Sequence, residues 1–135
     1  MSKLQKALND LENNSITRLD LSYNNIGDEG ARTLADTLLK NTSLTSLDLR
    51  YNKIGDIGAK AFADALLKNT SLTSLYLGGN NDIRSTLTNI CTQIIKRNEQ
   101  YARCKLSLEM FFESADIPNE LSNIINNNVL TILFI

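Results

Sequence analysis

The chain has 135 residues, 14 Lys+Arg against 15 Asp+Glu, and a formal net charge of -1, which argues against a polyanion binder and predicts no nucleic-acid partner. Apolar residues make up 42%, too many for a disordered chain, yet no run approaches the ~20 apolar residues that a membrane-spanning helix needs. Histidine is absent, which removes the commonest general base and zinc ligand, and the two cysteines, Cys91 and Cys104, form no CxxC pair. Composition therefore predicts a non-enzyme with no cofactor and no metal. Two thiols behind an opening without an apolar leader-like run predict a reducing, cytoplasmic setting.

Residues 1–14 read as a helix without a preceding strand. Leu4, Leu8 and Leu11 with Ala7 form one apolar stripe, and Ala7, Leu11 and Asn13 fall in register with Ala35, Leu39 and Asn41 further on. This predicts an N-terminal capping helix.

From residue 15 the chain repeats itself. SITRLDLSYNNIGDEGARTLADTLLKNT (15–42) aligns without a gap on SLTSLDLRYNKIGDIGAKAFADALLKNT (43–70), with 19 of 28 positions identical. A third, eroded copy occupies 71–98. In each unit the first half alternates apolar and polar residues, as Leu44, Leu47 and Leu49 show, and predicts a short strand with one buried face. The second half carries Ala31, Leu34, Ala35, Leu38 and Leu39, or Ala59, Phe62, Ala63, Leu66 and Leu67, on one helical stripe. The third unit matches with Leu87, Ile90, Cys91, Ile94 and Ile95, which makes Cys91 a core thiol. Asp28 and Asp56 are predicted to cap these helices after turns at Gly27 and Gly55. Lys40-Asn41 and Lys68-Asn69 are predicted to close them, the asparagines in left-handed geometry. One such unit cannot bury its own apolar face, so neighbours must stack.

The third unit replaces the Gly-Asp-x-Gly segment by Ile83-Arg84-Ser85-Thr86, which predicts a capping repeat whose helix starts a residue or two early, capped by Asn81 or Asp82. Residues 99–135 contain no glycine and one proline. Apolar positions at helical spacing continue through Tyr101, Leu108 and Phe112, Pro118 fits the first turn of a further helix, and 129–135 is apolar and β-prone. This predicts a mostly helical cap or tail.

The string LTSLDLRYN at 44–52 resembles the leucine-rich repeat signature. The 28-residue period and the Asn-x-Ile-Gly-Asp-x-Gly-Ala segment at 52–59 resemble the ribonuclease-inhibitor-like subclass. The resemblance implies an α/β fold, a short right-handed strand–helix solenoid in a horseshoe arc, with parallel strands on the concave wall. It also implies that Asn24, Asn52 and Asn80 are buried and bond loop backbone in a ladder; unpaired, each amide would cost ~1–3 kcal/mol.

Outward strand positions on that wall are Arg18, Asp20 and Ser22; Ser46, Asp48 and Arg50; Ser74, Tyr76 and Gly78. Tyr23 and Tyr51 follow at the rim. Tyr and Arg are enriched in interface hot spots, so the expected function is non-catalytic binding of a protein or peptide on this face. Asp20 and Asp48 should lie ~5 Å apart, where one carboxylate pKa could rise or a cation collect, with Arg18 and Arg50 nearby to balance charge. Two competing functions are homo-oligomeric assembly through the apolar 129–135 segment, and small-GTPase regulation using Arg84. Near-identical repeats in Asn/Ile/Lys-rich wording also fit a bacterial effector exported into a host.

Overall fold

A computed structural model describes residues 1–81 and 83–114, with side chains throughout except at 86, 108, 109 and 111–114. The chain divides into two compact units, Met1–Lys96 and Arg97–Ile135. In order come α1 (Lys3–Glu12), β1 (Arg18–Asp20), α2 (Gly27–Leu38), β2 (Ser46–Asp48), α3 (Asp56–Leu66), β3 (Ser74–Tyr76) and α4 (Ser85–Ser114). The expectations for the second helix at Pro118 and for the 129–135 segment lie outside the described residues.

The three strands form one parallel sheet in the order β1-β2-β3. Its register is that of the 28-residue period: Leu19 pairs with Leu47 and Leu47 with Leu75. A parallel neighbour requires a crossover, and α2 and α3 supply it. Leu21, Leu44, Leu47, Leu49 and Ile54 are fully buried from the strand side, and they meet Ala31, Leu34, Leu38, Phe62 and Leu66 from the helices. The fold is a short leucine-rich solenoid arc, as the apolar pattern requires.

At the start, the Ser2 side chain caps α1 by accepting from Gln5 N–H at 3.1 Å. Ala7 and Leu11 are buried in the common core, so α1 covers the first repeat. The helical stripes are narrower than the sequence pattern suggests. Leu39 and Leu67 stand at the C-caps of α2 and α3 and are exposed, because each helix ends one residue earlier. Ile90 is likewise exposed on α4.

The capping expectations need correction. Neither Asp28 nor Asp56 caps its own helix; each carboxylate reaches into the following repeat. Asp28 Oδ1 accepts from Gly55 N–H (2.8 Å) and Gly58 N–H (2.9 Å), at the start of α3. Asp56 Oδ1 accepts from Arg84 N–H at 2.7 Å, one residue before α4. Of the two turn glycines only Gly27 has the left-handed φ (66°) that favours glycine, whereas Gly55 is extended. The third repeat's helix, α4, starts at Ser85, later than expected, with the Arg84 N–H just before it bound by Asp56; Asp82 lies outside the described residues.

Asn41 and Asn69 are not left-handed. Both are buried and bond backbone across repeats: Asn41 Nδ2 donates to Leu11 O, and Asn69 Nδ2 to Leu38 O, each at 2.8 Å. Their Oδ1 atoms accept from Leu44 and Leu72 N–H at the entry to the next strand. They form a second asparagine ladder at the helix-to-strand turns.

Candidate binding face

The strand-to-helix ladder is formed by the three predicted asparagines. Asn52 Oδ1 accepts from Asn24 N–H (2.8 Å), and its Nδ2 donates to Leu21 O (2.7 Å). Asn80 repeats this one unit later, on Asn52 N–H (2.8 Å) and Leu49 O (2.9 Å). Asn52 is fully buried, while Asn24 and Asn80 are half-buried at the ends of the arc. These bonds fix the turn from which the rim side chains project.

Strand alternation turns the concave residues away from the leucine core. Asp20 binds the Ser22 hydroxyl (2.7 Å) and its N–H (2.9 Å), and these bonds lower its pKa. Asp48 holds Arg50 through Nε (3.0 Å) and Nη2 (2.6 Å); these bonds lower the Asp48 pKa, and the carboxylate raises that of Arg50. The Asp20–Asp48 pair therefore contains no raised carboxylate. Repulsion from Asp20 acts on Asp48, but the bonds to Arg50 outweigh it. The Arg50 guanidinium carbon also lies 5.7 Å from the centroid of the Tyr76 ring, within cation–π range.

Tyr23 and Tyr51 occupy left-handed backbone positions (φ 58° and 56°) and stack with ring centroids 4.5 Å apart and planes 12° apart. Desolvation by the neighbouring ring raises the Tyr23 pKa. The residue in register in the third repeat is Gly79, also left-handed at φ 69°. A Cβ there would collide with the Tyr51 ring, so the missing side chain is the space that ring occupies. Sequence reading placed Gly78 on the wall but gave Gly79 no part in the face; the 23/51/79 alignment is the signal that reveals it. Arg18, Ser46 and Ser74 complete the wall at the strand starts.

Other sequence-level candidates lie off this face. Arg84 sits just before α4, with its guanidinium paired to Asp56. Cys91 is buried, and burial pushes its thiol up to about 11, the state of an inert core cysteine. Among the described residues no group of three or more His, Cys, Asp or Glu could hold a metal, and no helix is long and apolar enough to cross a membrane.

The architecture defines a repeat protein of the strand-turn-helix type. The Leucine Rich repeat family model matches residues 12–35, 40–63 and 68–86, so this stretch of the chain consists of leucine-rich repeats. No curated protein sequence matches the chain significantly. Solved structures that match include leiomodin-1 actin-binding site 2, with TM-score 0.53 and 20% identity over 82% of this chain and 97% of that one. At that identity the likeness concerns the fold. Leucine-rich repeats are generally non-enzymatic modules of protein–protein interaction.

Proposed function

We propose that the concave strand face binds a protein or peptide without chemistry, and that Arg50, Tyr51 and Tyr76 are its centre. The observation that carries this reading is an ordered, exposed cluster. Tyr23, Tyr51 and Tyr76 are 73%, 50% and 49% exposed, yet each ring is held by a stack or a guanidinium. Side chains ordered before contact lose less entropy when a partner docks. A bulky residue in left-handed backbone is also strained, and its use in two successive repeats puts an aromatic where Gly or Asn would be easier. Two cations (Arg18, Arg50) face two anions (Asp20, Asp48), so the face favours a mixed, near-neutral partner. The 28-residue period supports placing the repeats in the ribonuclease-inhibitor-like subclass.

A photo-crosslinking side chain at Tyr23 or Ser74, compared with one at Arg32 on the exposed side of α2, tests the placement. Crosslinks from the strand positions alone are expected, and R50A/Y51A/Y76A should abolish them while leaving the circular-dichroism melt in place. Crosslinks from Arg32 instead would move the site to the helices.

A further inference from the structure

The first two repeats are tied to their successors by a fixed set of backbone bonds. Leu21 and Tyr23 N–H donate to Asp48 O and Arg50 O, while Thr17 O accepts from Thr45 N–H. Leu49, Tyr51 and Thr45 do the same toward the third repeat. The counterparts on the far side of β3 are Leu77 N–H, Gly79 N–H and Thr73 O. Alternation along the strand turns the Leu75 carbonyl to that same side. Among the described residues nothing bonds to any of the four. The Leu75 N–H lies on that side with its carbonyl, so β3 is an edge with three donors and two acceptors on offer.

Beside this edge lies a groove of about 400 Å³ lined by Leu75, Leu77, Ile83, Cys91 and Ile95, with Thr88 and Thr92 at its helical side. Among the described residues no charged side chain lines it. Leu75 and Leu77 are only partly buried, whereas their equivalents Leu47 and Leu49 are fully buried by the next unit. An unpaired strand edge of this kind is a template for strand pairing.

We propose that this open end pairs with the same end of a second copy of the chain, β3 running antiparallel to its partner about a two-fold axis at Tyr76. The row is palindromic about that residue, with Leu75 N–H opposite the partner's Leu77 carbonyl, which accepts from its own Asn80 Nδ2 at 2.8 Å and has a second lone pair. Leu77 N–H meets the partner's Leu75 carbonyl, Gly79 N–H meets the partner's Thr73 carbonyl, and the symmetry repeats both bonds. Among the described residues the groove carries no charge that would repel its own copy. At the other end α1 covers the first repeat, so end-to-end association closes at two copies instead of growing into a fibre. The inference uses the backbone edge of β3 and not the Arg50–Tyr51 stack, although its axis passes at Tyr76, which the proposed binding face also uses.

The pairing places Tyr76 opposite its own copy, as a non-hydrogen-bonded antiparallel pair with Cα atoms ~4.5 Å apart, inside the range a disulfide spans. The test is sedimentation of the full chain over a concentration series, with Tyr76→Cys oxidised in a Cys104→Ser background. A two-chain mass is expected, with covalent dimer from Tyr76→Cys and none from Asp20→Cys in the same background. T88K/T92K puts charge at two exposed helix positions beside the groove and should reduce the mass to one chain with an unchanged melt. A one-chain mass at every concentration, a dimer that Tyr76→Cys does not link, or a dimer indifferent to T88K/T92K would each overturn the proposal. A one-chain mass would leave the edge to a strand from a different protein.

Discussion

The second and third repeats begin with nearly the same words, SLTSLDLRYN and SLTSLYLGGN, and the structure treats them differently. In the second, Leu47, Leu49, Asn52 and Phe62 are fully buried between neighbours. In the third, Leu75, Leu77 and Asn80 are half-exposed, although the strand and turn are built alike. The energy of a solenoid repeat belongs largely to its two interfaces, so a residue's contribution depends on whether a further unit follows. The same logic applies to the polar groups. Asn52 serves the repeat before it and is enclosed by the one after, whereas Asn80 serves only the repeat before it.

The sharpest way to break this contrast is to hollow each repeat at the same register. Leu47→Ala removes a fully buried side chain flanked on both sides and should cost about 3–4 kcal/mol in chemical denaturation. Leu75→Ala, at the open side, should cost about 1–2 kcal/mol, because less area leaves water there. Equal losses would mean that the two interfaces are equally closed in solution. The asparagines give a smaller version of the same test. Asn52→Ala strands the Asn24 N–H, leaves the Leu21 carbonyl only its bond from Asn24 Nδ2, and should cost about 2 kcal/mol; Asn80→Ala, nearer to water, about 1 kcal/mol.

Much of this was legible in the residues. A 28-residue period and the Leu-x-x-Leu-x-Leu-x-x-Asn string specify strand, turn, helix and the parallel register of Leu19, Leu47 and Leu75, because apolar periodicity reports directly on burial. What stayed hidden lies between repeats. Asp28 has the sequence context of an N-cap, and helix-capping rules assign it to its own helix. The carboxylate instead spans to Gly55 and Gly58, since stacking brings the next helix's free N–H groups within reach. Asn41 and Asn69 look like helix stops for the same local reason, and only the neighbouring unit reveals the carbonyls they satisfy. On the face, the wall residues followed from strand alternation. The fit of Tyr51 over Gly79 did not, because a missing side chain in one repeat acquires meaning only against the ring in another.

Arg84 shows how the series of caps ends, and it carries the last and smallest prediction. Positions 28, 56 and 84 are in register, and the third holds an arginine where the first two hold aspartates. No later repeat among the described residues needs a carboxylate there, and the arginine instead pairs with the Asp56 that receives its own N–H. Asp28→Ala, which uncaps α3 inside the arc, should cost about 1 kcal/mol, and Asp56→Ala should cost less because its pair is exposed to solvent. The bond from Arg84 N–H, with the guanidinium, holds the Asp56 pKa below its ordinary value of 3.8. A carboxyl with a folded pKa below its unfolded one binds fewer protons when folded. Its contribution is therefore complete above pH 3.8 and is lost as pH falls through the lower folded value. Asp20 and Asp48 are shifted in the same direction, so their carboxylates belong to the same acid window. Carboxyl NMR titration should place the Asp56 midpoint below 3.8, and Arg84→Ala should return it part of the way, since the backbone bond remains. A midpoint at or above 3.8, or one indifferent to Arg84→Ala, would separate Arg84 from the capping of the last repeat.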